Sequence, residues 1–203
     1  MKIFFNGCSH TYGEELEDPK TQRYSALLEC DDVNIARVGN SNDIIVKETI
    51  EWLENNTCDF VIVQFTLPTR FSHYDSKFGW RSYMPSHAIL TQKVPRYYYK
   101  WIDSNQLRYM NFWKNVFVME SYLKKRGIPH YFWRFANKVG DELEKCVYED
   151  LTSWSDMLQH QDLLGHPKNG GKYWLKGHPS VSYTHLRAHE TKANLVCRLL
   201  LEK

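Results

Sequence analysis

The chain has 203 residues, of which 42% are hydrophobic and 25% charged, which fits one globular domain with a buried core. The formal net charge is only +2, so nothing in the composition favours nucleic acid or an anionic membrane surface as a partner. The N-terminal apolar run ends after Phe5 and is too short for a secretory signal, and no run approaches the roughly 20 apolar residues of a membrane span.

The first segments alternate between strand-like and helix-like patterns. In chain order they are a strand at 2–7, a helix at 21–30, a strand at 32–39, a helix at 41–56 and a strand at 58–65. Ser41 or Asn42 is placed to cap the second helix. Because the connections are short, we expect a three-layer α/β/α sandwich around a parallel sheet of four or five strands.

The second half of the chain is less regular. Residues 66–95 predict a long irregular segment, which is typical of a functional loop or lid. Residues 96–127 predict one long helix or two, residues 129–135 a fourth strand, and residues 141–159 a further helix. We expect the aromatic run Tyr97-Tyr98-Tyr99, with Trp101, to pack its helix against the rest of the protein rather than to form a platform for sugars.

Polar residues follow the first three predicted strands. Ser9 comes after the first strand, Gly39 ends the second, and Thr66 follows the third. A parallel sheet binds ligands at the carboxyl ends of its strands, so these residues are expected to meet. A serine nucleophile needs a base and hydrogen-bond donors for the developing oxyanion. His178, in a GHP sequence near the end of the chain, is the candidate base, and His166 in an earlier GHP is the alternative.

These blocks resemble the SGNH/GDSL-type hydrolases, in the divergent branch seen in viral and environmental sequences. "GCSHTYG" is similar to the family's first block, with Ser9 at the nucleophile position, and Gly39 in "ARVGNSND" matches the oxyanion glycine. Gln64 and Thr66 in "VIVQFTLPTR" stand at the positions of the third block, and His178 in "LKGHP" matches the histidine of the last block. The resemblance implies the flavodoxin-like fold of that family.

The resemblance also implies an activity. It points to a serine esterase that hydrolyses a carboxylic ester, with an acetyl group on a carbohydrate as one candidate substrate. Ser9 and His178 would carry out acyl-enzyme chemistry, and the N–H groups of Ser9 and Gly39 would bind the oxyanion with Thr66. Asn42 is either a helix cap or a further oxyanion residue. Such an enzyme needs no metal or organic cofactor.

Two positions depart from the family pattern. Leu175 stands where the family has the aspartate that orients the histidine, so His178 must be held by a backbone carbonyl or another acid, for which Asp162 is a poor candidate. Thr66 replaces an asparagine, so a hydroxyl stands in for an amide donor. These changes leave two alternatives open. One is a non-catalytic binding or structural protein with the same fold, and the other is an O-acyltransferase.

Two further residues complete the predicted site. His10 could line the cleft, although an exposed histidine is the default interpretation, and Arg70 could hold an anionic substrate group. Cys8 is not the expected nucleophile, because neighbouring side chains on a strand point to opposite faces. The five cysteines are scattered and form no CxxC pair, which predicts reduced thiols and a cytoplasmic protein. No feature of the sequence indicates an oligomeric state.

The last 23 residues, 181–203, resemble a translated sequencing adapter. "VSYTHLRAHET" is one reading frame of a transposase-type adapter, and "LVCRLLLEK" matches the flow-cell sequence that follows it. We therefore expect a native domain at 1–180 whose C-terminal helix is missing. Amplifying the gene from source DNA with a downstream primer tests this, and recovery of the same tail would contradict it.

Overall fold

A computed structural model describes residues 1–28, 30–88, 92–134, 174–175 and 178–179, the last two pairs as backbone. The strands are β1 (Lys2–Asn6), β2 (Asp31–Asn34), β3 (Phe60–Phe65), β4 (Phe71–Asp75), β5 (Gly79–Tyr83), β6 (His130–Arg134), β7 (Trp174–Leu175) and β8 (His178–Pro179). The α-helices are α1 (Ser9–Tyr12), α2 (Pro19–Gln22), α3 (Asn42–Asn55), α4 (Lys93–Trp101) and α5 (Asn105–Lys125). Two 3₁₀ turns span Ala26–Leu28 and Pro85–Ala88.

A four-stranded parallel sheet in the order β2-β1-β3-β6 forms the centre of the molecule. Phe4 of β1 lies opposite Val33 on one side and Val61 on the other. All six residues of β3 are buried, as expected for a strand covered on both faces. The predicted α/β fold around a parallel sheet is confirmed.

Side chains that alternate along the strands fill two separate cores. On one face, side chains of β1, β3 and β6 pack against α3 and α5, and the ring centroids of Phe65 and Phe112 are 5.8 Å apart. On the other face, Ile3, Phe5 and Ile62 pack against Tyr24 and other residues before β2. Because side chains pack against both faces of the sheet, the carboxyl ends of its strands are held in fixed positions.

The helix predicted at 21–30 is wrong. The structure has α2 and a 3₁₀ turn there, because the Ser25 side chain bonds to β2. Its hydroxyl donates to Asp32 Oδ2 at 2.7 Å and accepts from Asn34 Nδ2 at 2.9 Å. Strand β2 is also shorter than predicted, since Asn34 Oδ1 accepts from the Ala36 N–H at 3.0 Å and turns the chain.

The segment at 66–95 is more regular than predicted. It contains the antiparallel β4–β5 hairpin and a 3₁₀ turn. The 96–127 segment divides into α4 and α5, and the Ser104 hydroxyl caps the second helix by accepting from the Leu107 N–H at 3.2 Å. Gly127, with a φ of 64°, follows α5. The helix predicted at 141–159, like the adapter-like tail at 181–203, lies outside the described residues.

Strands β1, β3 and β6 and helix α3 match their predicted segments within two or three residues. Within the part of the chain that the structure describes, no helix is both long and apolar enough to cross a membrane.

Candidate active site

Ser9 lies directly beyond the carboxyl end of β1, as the first residue of α1, and only 3% of it is exposed. Gly7 makes this turn possible. A Cβ atom at Gly7 would lie 2.5 Å from Thr11 Oγ1 and 2.8 Å from Gln64 Cβ. The glycine is therefore required by close packing between the first strand end and the third strand.

A buried polar network lies beneath this turn. Gln64 Oε1 accepts from the Cys8 N–H at 3.2 Å and from the Thr11 hydroxyl at 2.7 Å. Gln64 Nε2 lies 3.1 Å from Cys8 Sγ and donates to it. Thr11 Oγ1 also lies 3.2 Å from the Tyr24 hydroxyl oxygen. We call Cys8, Thr11 and Gln64 the Gln64 network, and it joins the end of β1 to β3.

The expectation that Cys8 and Ser9 point to opposite faces is wrong. Strand β1 ends at Asn6, so the alternation of a strand does not extend to these two residues. Cys8 instead occupies the N-cap position of α1, and its Sγ lies 3.9 Å from Ser9 Oγ. The thiol and the candidate nucleophile are therefore neighbours.

Cys8 has an unusual ionisation state. Burial raises the pKa of the Cys8 thiol. Interactions with His10, Arg70 and Thr66 lower this pKa by more than burial raises it, to about 5. Cys8 Sγ lies 3.7 Å from His10 Nδ1. His10 itself is buried, in contrast to the exposed position expected by default. The surroundings of Cys8 therefore favour the thiolate form of a side chain that lies next to Ser9.

The residues after β2 and β3 are joined by a pair of hydrogen bonds. Asn42 Oδ1 accepts from the Thr66 N–H at 2.7 Å, and Asn42 Nδ2 donates to the Thr66 carbonyl at 3.1 Å. Gly39, at the start of this loop, has a φ of 77°, which favours glycine. Thr66 is also among the groups that lower the pKa of the Cys8 thiol, so the end of β3 lies close to Cys8 and its neighbour Ser9.

The prediction that a Ser41 or Asn42 side chain caps α3 is wrong. Ser41 occupies the N-cap position but makes no capping bond, and its hydroxyl bonds instead to the hydroxyl of Ser72 in β4. Arg70 Nη1 donates to the Asn40 carbonyl at 2.9 Å. Arg70 therefore helps to hold this loop, and its role in substrate binding stays a prediction.

The backbone of β8 lies beside α1, with Cα atoms of the two elements within 8 Å of each other. In the β7–β8 pair, residue 175 lies opposite His178. This arrangement puts the backbone of the candidate base next to the helix that begins with Ser9. The structure describes only the backbone of His178, so the role predicted for its side chain is not tested. The alternative base His166 and the residue Asp162 lie outside the described residues.

The Gln64 network was missed by the sequence reasoning, which placed Gln64 in the third block without a partner. The available signal was a cysteine with a histidine two residues later and a buried glutamine at the end of another strand. The structure places Cys8 against Ser9 and joins Asn42 to Thr66 by hydrogen bonds, while Gly39 lies in the loop between β2 and α3.

No protein-family model matches the chain, and no curated protein matches it. Several solved structures are similar to it in fold. A protein from Desulfitobacterium hafniense DCB-2, described as lipolytic and of the G-D-S-L family, has a TM-score of 0.58 at 12% identity and covers 95% of this chain and 98% of its own. The psychrotrophic esterase EstA from Pseudoalteromonas sp. has a TM-score of 0.54 at 10% identity, with coverage of 100% and 99%.

A third similar structure is the acetyl xylan esterase AlAXEase, with a TM-score of 0.52 at 13% identity and coverage of 96% of this chain and 99% of the other. At such low identities these similarities establish the fold. The chain has the α/β fold of the G-D-S-L, or SGNH, hydrolases, as its sequence blocks predict.

Proposed function

We propose that the chain is a serine hydrolase of carboxylic esters, with an acetyl group on a carbohydrate as the substrate. The observation that carries this proposal is the position of Ser9. It is the first helical residue beyond β1, one of the two inner strands of the sheet, and its neighbour Cys8 is hydrogen-bonded to Gln64 at the end of β3. The shared fold with proteins named as esterases supports the same reaction class.

In the proposed reaction, the His178 imidazole takes the hydroxyl proton of Ser9 while Ser9 Oγ forms a bond to the ester carbonyl carbon. The bond between that carbon and the alcohol oxygen then breaks, and the imidazolium returns the proton to the leaving alcohol. Water attacks the acyl-enzyme with His178 again as the base, releasing the acid and restoring Ser9.

The oxyanion would receive hydrogen bonds from the N–H groups of Ser9 and Gly39 and from the Thr66 hydroxyl. Asn42 supports this set by holding the Thr66 backbone with two hydrogen bonds. We therefore propose Asn42 as a positioning residue, alongside its predicted oxyanion role.

A fluorophosphonate probe tests the nucleophile. We expect one adduct per chain by intact mass, lost in Ser9→Ala and retained in Ser86→Ala, which changes an exposed serine in a 3₁₀ turn. Both variants must show the thermal unfolding transition of the parent chain. A folded parent chain that forms no adduct would contradict the proposal and favour a binding protein with this fold.

The base is tested by comparing His178→Ala with His166→Ala. We expect the first variant alone to lose adduct formation and turnover of p-nitrophenyl acetate. Loss in His166→Ala alone would assign the base to the other GHP sequence.

We also propose a cytoplasmic location, which is supported by the free thiols of Cys8, Cys30 and Cys58.

A further inference from the structure

The β4–β5 hairpin exposes two aromatic side chains on its paired strands and a third, Phe78, in its turn. Tyr74 is 57% exposed and Trp80 is 47% exposed. The two residues lie opposite each other across the hairpin, and their ring centroids are 5.6 Å apart at an interplanar angle of 70°. We call Tyr74 and Trp80 the aromatic pair. Large side chains exposed together in this way commonly mark a binding surface.

The pairing register shows which face of the hairpin carries them. Residues directly opposite share a face, and every second residue returns to it, so Ser72 and Ser82 lie on the same face as the aromatic pair. The other face is packed against α4, where the rings of Phe71 and Tyr98 stack with centroids 3.7 Å apart. The hairpin therefore cannot turn its aromatic pair inward.

The face with the aromatic pair is the one that contacts the candidate site. Ser72 bonds to Ser41, which lies one residue before Asn42 on the loop after β2. Tyr74 is two residues further along β4, roughly 7 Å from Ser72 along the strand. The base of the hairpin is held by Arg70, which donates to the Asn40 carbonyl, and by the Tyr99 hydroxyl, which lies 2.7 Å from the Thr69 carbonyl oxygen and 3.1 Å from that of Tyr83.

We propose that the aromatic pair binds a sugar ring of the ester substrate, next to the ring that carries the acyl group. This inference rests on the proposed function and specifies the alcohol part of its substrate. The C–H groups on one face of a pyranose ring pack against aromatic rings, while its hydroxyl groups stay in water. A half-exposed pair of rings at a steep angle offers one ring face and one ring edge for such a contact.

The chemistry of this face favours a sugar over an acyl chain. Its four side chains are two aromatic rings and two serines, with no aliphatic side chain among them, and the exposed part is the rings, since the Ser72 hydroxyl bonds to Ser41 and the Ser82 hydroxyl is buried. An acyl chain would gain most from a closed aliphatic pocket, whereas these rings remain open to solvent. In α4, Tyr98 and Tyr99 pack against Phe71 as predicted, but the prediction is wrong for Tyr97 and Trp101, which are 62% and 67% exposed.

The experiment compares Tyr74→Ala and Trp80→Ala with Trp101→Ala, which removes a 67% exposed tryptophan from α4. The substrates are acetylated xylotriose, acetylated cellotriose and p-nitrophenyl acetate. We expect the two hairpin variants to lower kcat/KM on the acetylated sugars by about tenfold. On p-nitrophenyl acetate they should stay within about twofold of the parent chain, and Trp101→Ala should do so on all substrates. Trp80→Phe should restore most of the lost activity on the sugars.

Direct binding separates this inference from the proposed function. Acetylated xylotriose and cellotriose are titrated by calorimetry into Ser9→Ala and into Ser9→Ala with Trp80→Ala. Weaker binding in the second chain supports the sugar contact even if the fluorophosphonate experiment fails. Thermal unfolding of every variant serves as the control for folding.

Several results would overturn the sugar contact. They are equal kcat/KM on the acetylated sugars for parent and hairpin variants, equal losses on sugars and on p-nitrophenyl acetate, and no binding of either sugar to Ser9→Ala. A loss confined to long-chain nitrophenyl esters would overturn it as well and would assign the aromatic pair to the acyl group.

Discussion

The Gln64 network and the β4–β5 hairpin are built in opposite ways. In the network, Cys8, Thr11 and Gln64 are almost fully buried and bonded to one another across the sheet. In the hairpin, the outer residues Tyr74 and Trp80 are exposed, and the attachments lie at its base. The difference indicates that the position of Ser9 depends on many long-range contacts, whereas the surface beside it can change without disturbing the fold.

Replacing Gln64 should give the largest effect on the network side of this comparison. Gln64→Leu removes the acceptor of the Cys8 N–H and the Thr11 hydroxyl, both of which are buried. We expect the free energy of unfolding to fall by about 3 kcal/mol, because each buried unsatisfied group costs about 1–3 kcal/mol. Urea denaturation measures it.

The matched control is Gln92→Leu, at an exposed glutamine before α4, which should change stability by less than about 0.5 kcal/mol. Similar losses in the two variants would show that the Gln64 network contributes nothing special to stability.

Two glycines allow the same substitution in both regions. Gly7→Ala puts a methyl group 2.5 Å from Thr11 Oγ1, which forces the network apart and should cost about 2–3 kcal/mol. Gly79→Ala in the hairpin meets no described atom within 4 Å but has a φ of 73°, so we expect a loss of about 1 kcal/mol. The denaturant midpoints of the two variants measure both losses of stability. A larger loss in Gly79→Ala than in Gly7→Ala would contradict the prediction that the Gln64 network tolerates change less well than the hairpin.

Cys8→Ser should act mainly through the pH dependence of stability, because it removes a thiol whose pKa the folded structure lowers. The pKa of Cys8 is about 5 in the folded chain against an ordinary value of 9.0. Between these values the unfolded chain binds more protons, so the Cys8 contribution to stability rises from about pH 5 to pH 9 and is lost on acidification. Denaturant unfolding across this range should show a steeper rise for the parent chain than for Cys8→Ser.

Ultraviolet absorbance of the thiolate gives a second measurement. Burial raises the pKa of Cys30 and Cys58, so these thiols stay protonated near neutral pH. The difference spectrum between the parent chain and Cys8→Ser should therefore lose its thiolate band near pH 5. Parallel stability profiles and the absence of a band at neutral pH would show that Cys8 is an ordinary buried thiol.

The sequence predicted the elements whose signals are local. Strand β3 appears as a continuous apolar run, and α3 as a helical pattern, because burial on both faces or on one face leaves a direct record in residue order. The prediction of a helix at 21–30 was wrong because the conformation of this segment depends on contacts that are distant in sequence. Its backbone is turned by bonds from Ser25 to Asp32 and Asn34, which belong to a different element.

The candidate site also has one part that local sequence signals predict and another that depends on long-range contacts. The sequence by itself determined the parallel α/β fold and the position of Ser9 after the first strand, since both follow from apolar runs, glycines and short connections. Only the tertiary structure decided what surrounds Ser9. Cys8 and Gln64 are 56 residues apart and meet because β1 and β3 pair in one register, and Ser41 bonds to Ser72 rather than capping its own helix. Such contacts depend on strand register and packing, which no short stretch of sequence encodes.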